Sequence, residues 1–493
     1  MTGVVTLIIP PSPFLLDERV FPFLGILKIA AVLEATGRKV EMLDLAGYSN
    51  YLDAVRDHVA STESTHFGIT ATTPQIPAAA LIAEAIKSVR PQTTIILGGP
   101  HATLVVASYR REQKTGAVGR AHRAYERLLE QFDVIVAGDG EETIFEALKP
   151  ESGRLIDADD RHHALWQTSE KLDYLPFPAR HLIDMESYHY QIEGKPATSL
   201  IAQLGCPYEC NFCGGRFSPM LRHIRTRSTE HIIAEIEAVH RVYGHTGFMF
   251  YDDELNVNPN MIELMNAIER LQEKLGVEFR LRGFIKSERF TDAQAAAMYA
   301  AGFRWILVGF ESGSPRILTN IVKKATREAN TRCVAIAKRH GLKVKALMSL
   351  GHPGESVETI GETRDWLTEA RPDDFDATII TTYPGTHYYD LAVETGRPGE
   401  WVFAAKNGDR LYQREVDYTL VADYYKGRPD EGYVSHVWTD HLFPEDLVRE
   451  RDQLEHEVRV YLDIPFNPSA AAQLYEHSMG QTSLPPRIFR SSQ

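Results

Sequence analysis

The clearest chemical signal in the sequence is a group of cysteines. Of the four cysteines among 493 residues, Cys206, Cys210 and Cys213 lie together in GCPYECNFCGG, with the spacing Cys-x3-Cys-x2-Cys. The stretch directly follows TSLIAQLG, a predicted strand, so one loop at a strand end carries all three thiols. The N-terminal sequence predicts a buried strand and not a signal peptide, which favours metal ligation over disulfide formation. We therefore expect the three thiolates to bind one inorganic centre.

Two inorganic centres are compatible with a three-cysteine loop. Structural zinc takes four ligands, commonly from two separated cysteine pairs, and here it would need His223 or His231 to complete the set. A [4Fe–4S] cluster held by three cysteines leaves one iron open to a substrate or cofactor. The remaining cysteine, Cys333, lies far away in TRCVAIAKRHG, where a buried helix position is the better interpretation. The cluster is the favoured prediction.

The cysteine spacing, with the aromatic Phe212 before the last cysteine, resembles that of the radical S-adenosylmethionine (SAM) enzymes. In that family the open iron of the cluster chelates the amino and carboxylate groups of SAM. Electron transfer from the cluster then cleaves SAM to methionine and a 5′-deoxyadenosyl radical. The resemblance thus implies a [4Fe–4S] cluster on Cys206, Cys210 and Cys213, SAM as second cofactor, and an electron donor such as flavodoxin or ferredoxin.

Later segments match further family features in the expected order. FYDDELNVNPN lies where family members bind the SAM amino group, GFESGSPRIL where a glutamate lies near the ribose, and MSLGHPGES where the backbone approaches the adenine. For the acidic residues the alternative is a solvated strand-end turn, and for the serine it is a helix N-cap. Besides Phe212, the resemblance assigns to SAM the residues Asp252, Asp253, Glu254, Glu311, Ser312 and Gly351.

Arginines and tyrosines are further candidates. Arg225 and Arg227, in LRHIRTRSTEHIIAEIE, follow the family pattern of arginines before the first barrel helix and would neutralise a carboxylate; a surface loop leading into the helix is the alternative. Arg282, in FRLRGF, would point to the same barrel mouth and is assigned to SAM. TTYPGTHYYD matches the last barrel strand, where Tyr383 is the candidate catalytic residue. Tyr383 and Tyr388 are candidate substrate contacts, with core packing as the alternative.

The fold that must position these residues is predicted from the alternation of strands and helices. From residue 198 onward, six strand patterns alternate with helical ones: TSLIAQLG, FMFYDDE, FRLRGF, WILVGFES, KVKALMSLG and DATIITTYPG. Six units are too few for a closed eight-stranded barrel, so the pattern predicts a partial (β/α)6 barrel over 196–395. The aromatic and helical sequence at 396–493 predicts a C-terminal helical cap.

The N-terminal 150 residues predict a separate α/β domain. VVTLIIP, KVEMLDL, HFGITA, TIILGG and DVIVAG are short, apolar and β-branched, as strands covered on both faces should be. Helical patterns separate them, and strand–helix repetition of this kind predicts a doubly wound parallel sheet. The segment 108–130 is predicted to be a helical insertion, and 151–195 a packed linker between the domain and the barrel.

The loops of this domain resemble the cobalamin-binding domain that precedes the barrel in one large radical SAM subclass. The loops are ITATTPQIPAA, LGGPHATL and AGDGEETIFEAL, together with PPSPF and FPFLGILKIAAVLEATG. Glycines would permit close approach of a flat ligand; the alternatives are tight turns and, for the histidine, a backbone hydrogen bond. Because Asp-x-His-x-x-Gly is missing from the domain, we expect cobalamin to bind base-off. The candidate residues are Thr72, Gly98, Gly99, His101, Gly138, Gly140 and Glu141.

The net charge and the hydropathy of the chain argue against several classes of protein. Lys and Arg number 53 against 67 Asp and Glu, a formal net charge of −14. This balance argues against broad binding to nucleic acid or anionic lipid. No apolar run approaches the ~18 residues of a membrane span, so we expect a cytoplasmic protein that acts on a small molecule.

The function predicted from these features is that of a cobalamin-dependent radical SAM enzyme, foremost a methyltransferase acting on an unactivated carbon. Hydrogen abstraction needs positioning more than acid–base groups, so cofactor-binding loops in place of a catalytic triad agree with this chemistry. The alternative within enzymes is a radical cyclase, oxygenating or rearranging enzyme of the same architecture. A redox or ligand sensor that uses the cluster structurally is the alternative from another class.

Overall fold

A computed structural model describes residues 3–13, 15, 17–424 and 432–465 of the chain. The N-terminal sheet contains six parallel strands: β1 (Val5–Ile9), β2 (Val40–Asp44), β3 (His66–Thr70), β4 (Thr94–Gly98), β5 (Val134–Ala137) and β6 (Leu155–Asp157). Their order is β2-β1-β3-β4-β5-β6. All five predicted strands are present, which confirms the predicted α/β sheet. The sixth strand, β6, was not predicted and lies beyond the proposed domain boundary at residue 150.

Helices cover both faces of this sheet because its strands are apolar on both sides. The helices are α1 (Leu24–Ala35), α2 (Tyr51–Ser61), α3 (Ile76–Val89), α4 (Pro100–Thr115), α5 (Arg120–Gln131) and α6 (Gly140–Ala147). One hydrophobic cluster joins α1 and α6 to one face, and another joins α2, α3, α4 and α5 to the opposite face. The segment 108–130, predicted as a helical insertion, forms the end of α4 and most of α5.

The second sheet is a half-barrel. Its region contains the strands β7 (Gln191–Ile192), β8 (Lys195–Leu200), β9 (Gln203–Leu204), β10 (Arg225–Thr226), β11 (Gly247–Phe250), β12 (Arg280–Phe284), β13 (Phe303–Glu311), β14 (Lys343–Leu350) and β15 (Asp374–Ile379). The sheet order is β15-β14-β13-β12-β11-β8-β7, and all strands except β7 run parallel. These six parallel strands confirm the predicted partial barrel. β9 and β10 form a separate antiparallel pair.

Helices follow the barrel strands and start at side-chain caps. The helices of this region are α7 (Ser169–Tyr174), α8 (Pro219–Arg222), α9 (Thr229–Tyr243), α10 (Met261–Leu275), α11 (Asp292–Ala301), α12 (Pro315–Asn320), α13 (Arg327–Arg339), α14 (Val357–Ala370) and α15 (His387–Asp390). A Ser or Thr hydroxyl accepts a backbone N–H at the start of seven of them, namely Thr168, Ser218, Ser228, Thr291, Thr326, Ser356 and Thr386. Cys333 is buried in α13, as the sequence predicted.

The C-terminal region contains more strand than the sequence indicated. Four strands form an antiparallel sheet, β16 (Val393–Glu394), β17 (Glu400–Ala404), β18 (Arg410–Arg414) and β19 (Val437–Thr439). The long helix α16 (Pro444–Leu462) then follows, in agreement with the predicted helical end. The one local signal for the sheet was the pair Asn407-Gly408, a typical hairpin turn between β17 and β18. The rest of the predicted cap, 425–431 and 466–493, lies outside the described residues.

Helix α16 covers the exposed edge of the half-barrel. β15 is the terminal strand, and its outward polar main-chain groups need partners. Glu455 accepts the Ala377 N–H at 2.6 Å, while Arg451 donates to the Ala377 carbonyl at 2.8 Å. Arg459 donates to the Phe375 carbonyl at 2.5 Å. Side chains of α16 therefore complete the hydrogen bonding that a further strand would otherwise supply.

We expect Arg459→Ala to destabilise the barrel strongly. The Arg459 guanidinium lies 3.3 Å from Asp374 and 3.4 Å from Asp376, and all three groups are buried. Removing one partner of a buried ion pair leaves an uncompensated charge, which costs about 3–5 kcal/mol. Thermal unfolding checks this. Arg449→Ala, which removes an exposed arginine from the same helix, is the control, and equal melting temperatures for the two variants would contradict the expectation.

Candidate active site

The three cysteines lie in the loop between β9 and α8, and the main chain around them determines the path of this loop. The Cys206 N–H donates to Leu221 O at 3.0 Å, and the Asn211 N–H donates to the carbonyl at the end of α12 at 2.9 Å. Gly205 begins the loop at φ 82°, and a side chain there would overlap the carbonyl of His223. The cysteines are thus held at the carboxyl end of the barrel strands, the usual position of active sites in related barrels.

Glu311 is the most constrained of the predicted SAM residues. It ends β13 at φ 66°, a conformation rare for a residue with a side chain, and the pairing with β14 shifts register between Gly309 and Glu311. Such bulges and strained residues are frequent at functional sites. Its carboxylate faces Lys323 Nζ at 3.0 Å and accepts a hydrogen bond from Ser349 Oγ at 2.8 Å. Burial acts to raise the pKa of Glu311, but Lys323 and Ser349 outweigh it, so the pKa is lowered.

A directed hydrogen-bond chain extends this site, and two of its members were missed by the sequence analysis. His352 contacts Ser349 Oγ at 2.7 Å through Nε2 and Tyr388 Oη at 3.2 Å through Nδ1. Because Ser349 donates to the glutamate, Nε2 carries the imidazole proton and Nδ1 accepts from Tyr388. Burial lowers the pKa of His352 to about 4, so the ring is neutral. Phe212 touches this ring edge to face at 5.4 Å, and Lys323, the second missed residue, lies 6.0 Å from the Phe212 ring.

Asp252 is placed differently from its two acidic neighbours. Its carboxylate accepts the Ala202 N–H at 3.0 Å and the Gln203 N–H at 2.5 Å, at the end of β8. Burial raises the pKa of Asp252 to about 7 against these hydrogen bonds. The side chain therefore supports the strand that precedes the cysteine loop, and its contact with SAM stays a prediction.

Asp253 and Glu254 lie nearer the thiols. Burial raises the pKa of Glu254 to about 7, opposed by the positive charges of Lys323 and Lys286. Arg222 similarly opposes the upward shift in the pKa of Asp253. Both carboxylates also act on the pKa of Cys206, which places them beside the cysteine loop. Of the acidic run, these two are the residues suited to an ammonium group bound at the cluster.

A cavity of about 340 Å³ opens inside the barrel. Arg282 lines it and donates to Tyr190 Oη at 2.8 Å, and its predicted contact with SAM stays a prediction. Ser312 is buried against Thr363, with the two hydroxyl oxygens 3.0 Å apart, and it supports the loop after β13. Gly351 follows β14 at φ 91°, where its N–H donates to a neighbouring glutamate. The lining includes Phe212, Arg282, Glu311, Lys345, Ser349 and Tyr383.

A second cavity, of about 560 Å³, lies between the N-terminal sheet and the barrel. Loops after β1, β3 and β4 line one side, including Thr72, and Ser199 and Tyr251 line the other. Tyr383 lines both cavities. Gly214, in the cysteine loop, is closely packed there, since a Cβ would lie 3.0 Å from the Tyr383 ring and 3.2 Å from Leu104 of the N-terminal domain. The tyrosine therefore stands where the cysteine loop, the barrel and the N-terminal domain meet.

Contacts within the protein account in part for the presence of glycine at the predicted cobalamin-site positions. Gly99 has φ 92°, and a Cβ there would lie 2.9 Å from the Ala71 nitrogen. Gly138 has φ 95°, and a Cβ would lie 2.8 Å from the main chain after β6. The Gly98 carbonyl accepts the Ala71 N–H, and Gly140 packs on a side chain of α1. Their contact with a corrin stays a prediction.

His101 and Glu141 make contacts within the N-terminal domain. His101 is buried, its N–H donates to Ala71 O, and its Nδ1 lies 3.1 Å from Thr73 Oγ1. Burial lowers its pKa to about 3, so it is neutral. Glu141 lies 3.7 Å from Lys28 across the helices α1 and α6. His101 lies in the first turn of α4 and its ring contacts a hydroxyl, so it is not the turn histidine with a backbone hydrogen bond that the alternative describes, and its contact with a corrin stays a prediction.

The two arginines before α9 neutralise carboxylates of the protein. Arg225 pairs with Asp139 in the loop after β5 and thereby joins the N-terminal domain to the barrel. Arg227 lies 2.7 Å from Glu235, which Arg180 of the linker approaches at 2.8 Å from the other side. All of these groups except Asp139 are almost fully buried. Arg225 therefore joins the two sheets, whereas Arg227 pairs within the barrel region.

Two family profiles match the chain in the regions described above. The radical SAM superfamily profile matches residues 200–367, and the B12-binding domain profile matches residues 18–129. The chain is a radical SAM protein with a B12-binding domain. The family predicted from the cysteine spacing and the loop order is therefore confirmed. A [4Fe–4S] cluster and SAM follow from the first domain and cobalamin from the second, in agreement with the predicted cofactors.

Known relatives match long stretches of this chain. It is 26% identical over 404 residues to an uncharacterised methyltransferase of Pyrococcus horikoshii, covering 79% of this chain and 83% of the relative. It is 23% identical over 362 residues to the anaerobic magnesium-protoporphyrin IX monomethyl ester cyclase of Rubrivivax gelatinosus, covering 70% and 60%. The radical SAM methyltransferase TsrM of Kitasatospora setae, solved with cobalamin and a [4Fe–4S] cluster, shares the fold, with TM-score 0.63, 17% identity and coverage of 98% and 93%.

The cysteine loop suits a cluster better than a single zinc ion. Burial raises the pKa of Cys206 to about 12, so the free thiol is protonated and a metal must displace its proton. Within the described parts of the chain, no three His, Cys, Asp or Glu side chains converge on a single-ion site. Each cysteine of a [4Fe–4S] cluster binds a different iron, so the three thiolates converge on one cluster at a wider spacing than the ligands of a single ion. His231, a zinc candidate, is engaged by Arg227 Nε at 3.1 Å instead.

The interdomain cavity has the character expected of a corrin site. It lies at the carboxyl edge of a parallel sheet, the general ligand position of such folds. Its lining is mainly apolar, with a few hydroxyls such as Thr72 and Ser199. No histidine occurs among the described residues that line it.

None of the helices in the described ranges is long and apolar enough to cross a membrane.

We expect the triple variant Cys206→Ala, Cys210→Ala and Cys213→Ala to lose the cluster, because it removes every predicted ligand. Anaerobic reconstitution followed by iron and sulfide analysis should give about four irons per chain for the unaltered protein and almost none for the variant. Cys333→Ala is the control and should keep its iron. A full complement of iron in the triple variant would contradict the assignment.

We expect Lys323→Met to make SAM binding sensitive to acid. Without the Lys323 ammonium, burial raises the pKa of Glu311, so the carboxylate takes up a proton as the pH falls. Because Glu254 takes up a proton near pH 7, binding by the unaltered protein should itself weaken from about pH 8 to 6, and the variant should weaken about tenfold more, a further change of about 1.4 kcal/mol. Equilibrium binding of SAM at several pH values measures this. Lys324→Met, at the exposed neighbouring position, should behave as the unaltered protein; a profile for Lys323→Met no steeper than that of the unaltered protein would refute the role of the pair.

Proposed function

We propose that this radical SAM protein transfers a methyl group to an unactivated carbon of a small-molecule substrate. The observation that most supports this is the shared wall of the two cavities. Tyr383 lines both the barrel cavity, beside the predicted SAM residues, and the interdomain cavity, beside the B12-binding loops. A substrate at this junction would lie within reach of both cofactors. When bound, the cluster and SAM supply hydrogen abstraction and cobalamin supplies a transferable methyl group.

The residues of the chain would orient these groups, with little acid–base work. Glu311, kept ionised by Lys323, is suited to accept hydrogen bonds from the ribose hydroxyls of SAM. Glu254 is suited to hold the SAM ammonium group, and the turn at Gly351 would bring main chain toward the adenine. The Tyr383 ring and Leu104 both border Gly214 of the cysteine loop, so a substrate at this junction would contact the tyrosine.

The polar side chains at the base of the barrel cavity indicate the chemical character of the substrate. Lys345 lies 3.0 Å from Asp374 and 2.8 Å from Asp376, and Arg282 lines the same space. These side chains make this end of the cavity polar, which favours a ligand with hydrogen-bonding groups there. We therefore infer a substrate with hydrogen-bonding groups at one end and the reacting carbon at the Tyr383 end. The cytoplasm is the proposed location, and flavodoxin or ferredoxin the proposed class of reductant.

A radical cyclase is the second candidate, and the relative named as a cyclase supports it. Both reactions would use the same cluster loop and SAM residues. They differ in what becomes of SAM, since only methyl transfer consumes a second SAM as methyl donor. The sensor alternative would produce no 5′-deoxyadenosine under a strong reductant.

We expect methyl transfer to form 5′-deoxyadenosine and S-adenosylhomocysteine in about equal amounts with methylated product. One SAM is cleaved reductively and a second donates its methyl group. Quantifying both by-products against product, with deuterium at the candidate carbon, measures this ratio. If S-adenosylhomocysteine fails to rise with turnover while 5′-deoxyadenosine does, the cyclase proposal replaces methyl transfer.

A further inference from the structure

A third cavity, of about 670 Å³, borders the cysteine loop and is separate from the two described above. None of its lining residues lines the barrel cavity or the interdomain cavity. Five basic side chains contribute to it, against a single acidic one, Glu209. We call this space the basic cleft, and its basic residues are Arg161, Arg216, Arg222, His223 and His387.

The basic cleft concentrates positive charge in a chain whose formal net charge is −14. Burial, together with the charges of Arg216, Arg111 and Arg222, lowers the pKa of His387 to about 4. Three guanidinium groups therefore act on one imidazole. Arg216 Nη2 lies 3.5 Å from His387 Nδ1. Such clustering of like charge is unfavourable in the free protein, and an acidic ligand would relieve it.

Two of the arginines that line the cleft each have a guanidinium nitrogen without a hydrogen-bond acceptor among the described residues. Arg216 Nη1 and Arg222 Nε are buried and have no hydrogen-bond partner among the described residues. Buried donors of this kind are uncommon, because losing water without gaining an acceptor costs free energy. Both arginines have other contacts that hold them in place, including Arg222 Nη2 to Gly214 O at 3.2 Å. Both guanidinium groups line the cleft, so an anionic partner there would meet positive charge that the fold already holds in place.

The floor of the cleft touches a cluster ligand. Arg222 Nη2 lies 3.8 Å from Cys213 Sγ, and Arg222 also donates to the carbonyl of Tyr208 within the cysteine loop. Its rim is exposed, with Pro207, Glu209 and His223 accessible to solvent. A protein docked at this rim would therefore be separated from the cluster by little more than the cysteine loop itself.

We propose that the basic cleft is the docking site for the acidic face of a flavodoxin- or ferredoxin-class electron donor. One electron leaves the reduced donor and enters the oxidised cluster, and no bond forms or breaks. Electron transfer falls steeply with distance, so the donor must approach the cysteine loop from outside, since SAM and substrate would fill the inside. Because the whole chain is negative, an acidic donor needs a local positive surface for productive encounter. This inference depends on the proposed function only in requiring a reducible cluster.

The test compares two reductants on a variant in which the charge of the cleft rim is reversed. Arg161→Glu with His223→Glu changes two exposed rim residues and leaves the cysteines, Arg216 and Arg222 in place. Arg332→Glu, at an exposed position on α13, is the matched control. Reconstituted proteins are mixed anaerobically with a reduced bacterial flavodoxin or with dithionite, without any methyl acceptor. The rate at which the cluster's visible absorbance bleaches is followed, and flavodoxin affinity is measured by surface plasmon resonance.

We expect the double variant to bind flavodoxin about tenfold more weakly and to be reduced by it about tenfold more slowly at low salt, with dithionite reduction unchanged. Raising the salt should slow the unaltered protein and the Arg332→Glu control but affect the double variant less. Equal flavodoxin rates for the double variant and the control would overturn the proposal, as would a parallel loss with dithionite. Binding of inorganic phosphate in the cleft with unchanged flavodoxin reduction would assign it to a small anion instead. Since no methylated product is measured, failure of methyl transfer leaves this outcome unaffected.

Discussion

The buried ion pair between Glu311 and Lys323 is the interaction on which the proposed site depends. It neutralises a strained residue at the end of β13 and places an ammonium group close to the ring of Phe212 in the cysteine loop. A buried carboxylate is tolerated only when it is paired and hydrogen-bonded. Ser349 supplies the hydrogen bond and is in turn held by His352. One pair therefore connects two barrel strands, the loop after α12 and the loop that carries the cluster ligands.

Two contacts fix the relative position of the two sheets. One is an ion pair and the other is a close packing contact. Arg225 of the barrel reaches Asp139 after β5, and Gly214 packs closely against both Tyr383 and Leu104. The first contact has little exposure to water, and the second leaves little space for a side chain. Such contacts hold the two cavities in a constant mutual position, which chemistry shared between two cofactors requires.

Local sequence predicted the elements well where one physical rule dominated. The buried parallel strands of both sheets were recognisable because they are short, apolar and β-branched, and the cysteine loop because three thiols spaced this closely are typical of cluster ligands. The C-terminal sheet was missed because its strands β16 to β19 are short and carry charged residues, leaving Asn407-Gly408 as the main signal. Lys323 and His352 were missed because nothing in their local sequence indicates burial beside a carboxylate.

The sequence by itself determined the chemistry that the chain can perform: three thiols in one loop, an ordered series of strand-end motifs and the loops of a second domain. Only the tertiary structure decided which side chains perform it. Asp252 turned inward to cap β8, and His101 was buried, since main-chain N–H groups and hydroxyls lay within their reach. Arg216 and Arg222 came together with His387 although more than a hundred residues separate them in sequence. Residue identity sets what a group can do, whereas burial and neighbouring charges, which depend on long-range packing, set what it does.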